Sequence, residues 1–128
     1  MDNSKTSVDR FTIKITLTEA DVQSGRFYLA LNTKEVEEHI FKHWREIVIK
    51  RATIDDIKVT MEDVDTSSEH EVNFRCYKPN NNKNSYSIQG LWRRNFIERR
   101  SLRTGDQIGI YCDPFSAKLC FSVLKRAR

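Results

Sequence analysis

Short segments in which apolar and polar residues alternate recur along the chain, and this period of two restricts the folds open to it. Phe11–Leu17 runs F-T-I-K-I-T-L, and Ile57–Val64 runs I-K-V-T-M-E-D-V. Such alternation is typical of a strand with one buried face. Further strands are predicted at Phe27–Leu31, Glu71–Tyr77, Ser85–Gln89, Gln107–Cys112 and Lys118–Leu124, with a short extra strand at Ile47–Ile49. About seven short strands in one chain favour a barrel or a sandwich.

A first helix is predicted from about Lys34 to His43. Asn32 or Thr33 would be its N-cap, because both side chains can accept a hydrogen bond from the first turn. Several glutamates follow in the first turns, where the helix dipole favours negative charge.

A second helix is predicted to begin near Leu91, where Trp92 and Phe96 lie four residues apart and would pack inward together. This packing leaves four arginines for solvent or a partner, namely Arg93, Arg94, Arg99 and Arg100. A turn at Gly105–Asp106 should then lead into a hairpin that closes at Asp113–Ser116.

The length of 128 residues, with 38% hydrophobic and 10% aromatic residues, suits one domain with a substantial core. We expect a flexible segment at residues 1–10 and a single domain at residues 11–128. The sequence contains neither a long apolar run near its start nor about twenty consecutive apolar residues. A secretory signal and a membrane span are therefore not expected, and the predicted protein is soluble and intracellular.

Charge is distributed unevenly, although the net charge is only +4. Leu91–Arg103 carries five arginines and one glutamate, whereas Glu62–Glu71 carries five acidic residues and no Lys or Arg. A basic and an acidic pole would suit a polyanion that approaches from a defined side.

A loop of unusual composition, K-P-N-N-N-K-N, occupies Lys78–Asn84. Pro79 prevents this loop from continuing as a central strand. A carboxamide donates and accepts hydrogen bonds at once, which matches the major-groove edge of adenine, while lysines attract phosphates. The loop therefore suits DNA contact, although Asn and Pro also occur in ordinary turns.

Metal and disulfide chemistry find little support in the sequence. Cys76, Cys112 and Cys120 are too few and too irregularly spaced for a disulfide scaffold or a zinc knuckle, so we expect them to be reduced and buried. His39 and His43 lie four residues apart on the first predicted helix, but no third ligand is evident. Neither a metal nor a cofactor is expected.

In this order, the segments resemble the plant-specific B-three DNA-binding domain. The resemblance is carried by LTEADV at Leu17–Val22, EVEEHI at Glu35–Ile40, FRCYKPNNN at Phe74–Asn82, WRRNFIERRSLRTGDQIGIYCD at Trp92–Asp113 and FSVLKRA at Phe121–Ala127. It covers nearly the whole chain, from about Phe11 to Ala127. The resemblance implies a mainly β fold, a seven-stranded open pseudobarrel with two short helices. It also implies a non-catalytic DNA-binding domain of a transcription regulator in the nucleus.

The same resemblance places DNA contacts on two loops, which we call the first arm, Thr18–Arg26, and the second arm, Lys78–Ser85. The implied contact residues are Gln23, Ser24 and Arg26 on the first arm, Lys14 on the strand before it, and Lys78, Asn80, Asn81, Lys83 and Ser85 on the second arm. The implied partner is the major groove of double-stranded DNA, bound by a monomer. Protein partners are left open.

Two other classes of function remain open. A pseudobarrel that serves as a protein-interaction module, with weak or non-specific DNA binding, is favoured by Glu19 and Asp21, which make the first arm acidic. A nuclease is suggested by Asp56-Ile57-Lys58, which fits half of a metal-dependent site. A second metal carboxylate and a nucleotide cradle do not accompany this tripeptide, so the sequence predicts a protein without catalytic residues.

Overall fold

A curled open sheet is the main feature of the computed structural model, which describes residues 10–77 and 84–127. In these ranges the strands are β1 (Ile13–Thr16), β2 (Leu29–Leu31), β3 (Ile57–Asp63), β4 (Ser68–Tyr77), β5 (Ser85–Gln89), β6 (Gln107–Cys112) and β7 (Leu119–Lys125). Their order across the sheet is β1-β6-β7-β3-β4-β5-β2. Neighbours are antiparallel except β3 and β7, which are parallel. The predicted seven-stranded open pseudobarrel is confirmed.

The helices of the described residues are short and lie in the connections between strands. They are α1 (Glu19–Val22), α2 (Thr33–His39), a 3-10 turn (Phe41–His43), α3 (Glu46–Ile54) and a π-helix (Arg93–Glu98). Asn32 is the N-cap of α2, because its Oδ1 accepts a hydrogen bond of 3.0 Å from the backbone N–H of Glu35. This cap was one of the two that the sequence predicted.

Aromatic side chains fill the core beneath the π-helix. Trp92 and Phe96 are buried and stack with their ring centroids 5.1 Å apart. Phe121 of β7 meets Phe96 edge to face at 4.9 Å. The predicted inward packing of Trp92 and Phe96 is confirmed, and it holds the π-helix against the sheet.

The prediction of a short strand at Ile47–Ile49 is wrong, because these residues belong to the helix α3. Val48, Ile49 and Ala52 are the residues of α3 that pack toward the core, and they recur at the spacing of one helical face. Tertiary packing has overridden the strand preference of a run of β-branched residues.

The two arginines that follow the π-helix, Arg99 and Arg100, are not left for solvent or a partner, contrary to the expectation. Both guanidinium groups contact the carboxylate of Asp63, which is fully buried at the end of β3. The distances to Asp63 Oδ2 are 3.2 Å from Arg99 Nη2 and 2.6 Å from Arg100 Nη1. Arg100 Nη2 also lies 3.3 Å from Asp65 Oδ2. The basic and acidic segments therefore pair with each other here instead of forming separate poles.

A buried carboxylate, Asp106, joins the turn before β6 to the end of the chain. Its oxygens accept hydrogen bonds from the backbone N–H of Arg103 at 2.9 Å and of Ala127 at 2.7 Å, and from Arg126 Nη1 at 3.2 Å. Burial raises the pKa of Asp106, but the bonds from Ala127, Arg103 and Arg126 outweigh burial, so the net pKa lies below its usual value. The sequence predicted a turn at Gly105–Asp106, but it did not indicate this role of the side chain.

The lowered pKa of Asp106 predicts a pH-dependent contribution to stability. Because the folded-state pKa is depressed, the contribution is present above the usual value of 3.8 and is lost as the pH falls through the folded-state pKa. We expect Asp106→Asn to cost about 1 to 3 kcal/mol at pH 7, since backbone donors lose their charged acceptor. The difference from the parent should shrink below about pH 4. Urea unfolding across this pH range measures the effect, with exposed Asp55→Asn as the control; a difference that is independent of pH would contradict the assignment.

Candidate nucleic-acid interface

The two arms are attached at opposite ends of β5. In the pairing of β2 with β5, Leu29 lies opposite Ile88 and Leu31 lies opposite Tyr86. The first arm therefore enters β2 near the end of β5, at Gln89, whereas the second arm leads directly into the start of β5. At about 3.3 Å per residue, the five residues of β5 separate the two attachment points by roughly 13 Å.

The first arm begins with a short capped helix. Thr18 and Asp21 form a capping box, in which Thr18 Oγ1 accepts from the backbone N–H of Asp21 at 3.2 Å and Asp21 Oδ2 accepts from the backbone N–H of Thr18 at 2.8 Å. A turn follows, closed by a hydrogen bond of 3.0 Å from Arg26 N to Gln23 O. Gln23 and Ser24 are exposed at the tip of the arm.

Arg93 of the π-helix fastens the first arm to the barrel. Its guanidinium donates to three backbone carbonyls of the arm: Gln23 O at 2.9 Å, Arg26 O at 3.2 Å and Val22 O at 3.2 Å. Its Nε lies 3.3 Å from Glu98, and its side chain is only 14% exposed. The expectation that Arg93 is available to solvent or a partner is wrong; it holds the arm in one conformation.

The residues that the resemblance placed at the first arm differ in their availability. Gln23 and Ser24 are exposed residues of the arm, and Lys14 is an exposed residue of β1 that pairs with Gly109 of β6. Arg26 is engaged within the arm: its guanidinium lies 3.5 Å from the Asp21 carboxylate and 4.4 Å from the centre of the Tyr28 ring.

The second arm is described only at its two flanks. Ser85 is partly buried at the start of β5, opposite Tyr77 of β4. Just before it, the backbone carbonyl of Asn84 accepts a hydrogen bond of 3.0 Å from Thr33 Oγ1. The other predicted contact residues of this arm, Lys78, Asn80, Asn81 and Lys83, lie outside the described residues, so their role stays a prediction.

A polar cavity of about 250 Å³ lies on the outer face of the sheet, between the two attachment points. It is lined by Tyr28, Arg75, Tyr77, Ser87 and Gln89. The register explains the grouping, because Arg75 lies directly opposite Ser87 in the pairing of β4 with β5. A guanidinium, a carboxamide and hydroxyl groups supply both hydrogen-bond donors and acceptors on this face. These residues were not predicted as a site, although alternation in F-R-C-Y and S-Y-S-I-Q places four of them, Arg75, Tyr77, Ser87 and Gln89, on the face of the sheet away from the core.

The tripeptide that suggested a nuclease is engaged in two surface ion pairs. Asp56 lies 3.6 Å from Arg75, and Lys58 lies 4.0 Å from Glu71. No group of three or more His, Cys, Asp or Glu residues that could hold a metal ion occurs among residues 10–77 and 84–127. In the same ranges, no helix has the length and apolar character needed to cross a membrane.

The chain is similar along most of its length to known plant proteins. Residues 11–124 match the family model of B3 domain-containing protein At5g26805, C-terminal domain. Putative B3 domain-containing protein At1g78640 of Arabidopsis thaliana is 37% identical over 122 residues, which are 91% of this chain and 22% of that protein. B3 domain-containing protein At4g02870 of Arabidopsis thaliana is 27% identical over 117 residues, 91% of this chain and 36% of that protein. The chain thus spans between a fifth and two fifths of these relatives.

Two solved structures share the fold. The protein in the Arabidopsis FUS3-DNA complex superposes with a TM-score of 0.69 and 27% sequence identity, over 92% of this chain and 100% of that chain. The Arabidopsis thaliana transcription factor LEC2, in its DNA complex, gives a TM-score of 0.65 and 19% identity, over 90% of this chain and 93% of that chain. The curled sheet and its connecting helices are therefore similar to those of domains solved with DNA.

Proposed function

The chain belongs to the family of B3 domain-containing proteins, and from this membership we propose that it is a non-catalytic domain of a transcription regulator that binds double-stranded DNA. The domain comprises residues 11–128, acts as a monomer and works in the nucleus. The similarity to a domain solved with DNA at 27% identity supports this function.

The spacing of the two arms is the observation that carries the proposal. Their attachment points are separated by the length of β5, roughly 13 Å. The major groove of B-form DNA is about 12 Å wide. Two arms held this far apart suit the two sides of one major groove, with the outer face of β4 and β5 between them.

Each group of residues has a proposed task in this arrangement. Lysines attract phosphates and set the register, whereas carboxamides and hydroxyls contact base edges. The proposed phosphate contacts are Lys14, Lys78 and Lys83, and the proposed base contacts are Gln23, Ser24, Asn80, Asn81 and Ser85. Arg26 supports the first arm through Asp21 and Tyr28. Arg75 and Gln89 add donors on the sheet between the arms.

The acidic residues of the first arm do not oppose this function as strongly as their charge suggests. Asp21 caps α1 and contacts Arg26, so its charge is compensated within the arm. Glu19 is exposed and is the feature that favours the alternative, a protein-interaction module with weak or non-specific DNA binding. The two functions differ in one measurable property, which is sequence preference.

A selection from random DNA sequences tests the proposal. At ~100 mM salt, where non-specific binding through phosphates is weakened, we expect the purified chain to enrich a motif of several base pairs. The double variant Asn80→Ala/Lys83→Ala should lose this motif, because each good carboxamide contact is worth about 1 to 3 kcal/mol of discrimination.

Matched variants separate the base contact from the phosphate contact. Lys83→Ala alone should weaken binding to all sequences similarly and reduce the slope of log affinity against log salt by about one. Asn80→Ala alone should relax preference at one position and leave the slope unchanged. Enrichment that is identical in the parent and the double variant would remove the second arm from the interface. Absence of any enriched motif in the parent would favour the interaction module.

A further inference from the structure

A second cavity, of about 450 Å³, lies between the 3-10 turn, the start of β1 and the turn that joins β6 to β7. The register of β1 with β6 places it away from the first arm. Ile13 lies opposite Ile110 and Thr16 lies opposite Gln107, so the chain enters β1 at the cavity and leaves it toward the first arm. The length of β1, about 10 Å, separates the two.

The cavity is lined mainly by groups that carry, or can carry, positive charge. Arg10 and Lys42 contribute two cations, and His39 and His43 contribute imidazoles. Asp113 is the acidic residue that lines it in the described part of the chain. Its carboxylate is occupied by its own turn, since Oδ1 accepts from the backbone N–H of Phe115 at 3.0 Å and Oδ2 accepts from Ser116 Oγ at 2.9 Å. The cavity thus favours an anion.

His39 is one of the two histidines that line the cavity. Its Nδ1 is buried and has no hydrogen-bond partner among the described residues. Because this atom is closed to solvent, a ligand in the cavity would be met by the exposed side chains of Arg10 and Lys42 and not by His39 Nδ1. The ring's other nitrogen, Nε2, is 4.0 Å from the Glu38 carboxylate.

The rim of the cavity is apolar. Phe115, at the tip of the turn between β6 and β7, is 97% exposed, and Pro114 precedes it. Phe115 therefore offers a partner an aromatic surface beside the cations, and aromatic residues are enriched at protein interfaces. The volume lies within the usual range of 300 to 1,000 Å³ for ligand sites.

We propose that this cavity binds an acidic segment of a partner protein, with carboxylates near Arg10 and Lys42 and an apolar side chain against Phe115. A partner peptide fits better than DNA, because the cavity offers an aromatic rim and lies at the far end of β1 from the first arm. Thr33, at the start of α2, contacts Asn84 of the second arm. His39 is at the other end of α2, so the length of the helix separates it from that contact by about 9 Å. The proposal does not depend on DNA binding.

Amide chemical shifts of the full chain, titrated with a short synthetic peptide of glutamates around a central phenylalanine, test the proposal. We expect saturable shifts at Lys42, His43, Tyr111, Cys112, Asp113 and Phe115. The variant Arg10→Glu/Lys42→Glu should bind this peptide about tenfold more weakly. The matched control is Lys50→Glu/Arg51→Glu on α3, which changes net charge equally and should bind within about twofold of the parent. Phe115→Ala should also weaken binding.

Several outcomes would overturn this proposal. An equal loss in the two double variants, or equal binding of a peptide with glutamines in place of glutamates, would indicate non-specific attraction. Shifts of the same residues on raising the protein concentration without peptide would assign the cavity to a second copy of the chain. Displacement of the peptide by duplex DNA would assign it to the DNA interface. DNA binding by the variant Arg10→Glu/Lys42→Glu is measured as well. If the variant still binds DNA, a negative result with the peptide contradicts only the peptide site and not the proposed DNA-binding function.

Discussion

Asp63→Ala is expected to destabilise the domain by about 3 to 5 kcal/mol, because it removes the acceptor of a buried ion pair and leaves two guanidinium groups beside each other. Asp63 is fully buried, and Arg99 and Arg100 both contact its Oδ2. Its other oxygen accepts from the backbone N–H of Asp65 at 3.1 Å. Since the two arginine side chains are 29% and 15% exposed, water can partly replace the lost contact, so the lower end of the range is expected.

Thermal or urea unfolding measures this loss. In a domain of this size, 3 kcal/mol corresponds to a midpoint roughly 10 °C lower and is a large part of a total stability of about 5 to 15 kcal/mol. The matched control is Asp56→Ala, which breaks the pair with Arg75, where both side chains are about half exposed. That change should cost less than about 1 kcal/mol. Similar losses in Asp63→Ala and Asp56→Ala would contradict a structural role for the buried cluster.

The strands were predictable because the signal that forms them is local. In S-Y-S-I-Q, Tyr86 and Ile88 are buried in the core while Ser85 and Gln89 are partly exposed, and the predicted bounds of β5 are those observed. The bounds of β6 also match. At β2 the prediction began too early, since Phe27 and Tyr28 are exposed residues between the first arm and the strand and are not paired in the sheet.

The partners of the arginines were not predictable, because they depend on which faces of the folded chain meet. Asp63 lies 36 residues before Arg99, and Val22 lies 71 residues before Arg93. The basic segment therefore looked available for a polyanion, although three of its five guanidinium groups bind the protein itself. Arg75 and Gln89 show the opposite error, because they were not predicted as contact residues although they line the cavity between the arms. The alternation within β4 and β5 could have placed them on that face of the sheet.

Of the proposed changes, loss of the contacts between Arg93 and the first arm has the largest expected effect on DNA binding. Arg93 donates to the carbonyls of Val22, Gln23 and Arg26, so the arm is ordered before any partner arrives. Fixing one residue of a mobile backbone costs about 1 to 2 kcal/mol, so an arm that must order two residues on binding loses about 100-fold in affinity. We therefore expect Arg93→Ala to weaken DNA binding by about 100-fold, measured by fluorescence anisotropy on the selected duplex.

Arg94→Ala is the matched control. Arg94 is the next residue of the same π-helix, its side chain is exposed, and its replacement by alanine changes the net charge by the same amount. If Arg93 acts by holding the arm, Arg94→Ala should change affinity by no more than about threefold, a phosphate-scale effect that grows at low salt. Arg93→Lys should recover only part of the loss, since an ammonium group lacks the planar fork that can donate to several carbonyls in fixed directions. Backbone amide exchange should quicken at Gln23 and Ser24 in Arg93→Ala but not in Arg94→Ala. Equal losses of affinity in both variants, without faster exchange in the arm, would mean that Arg93 contributes charge and not position.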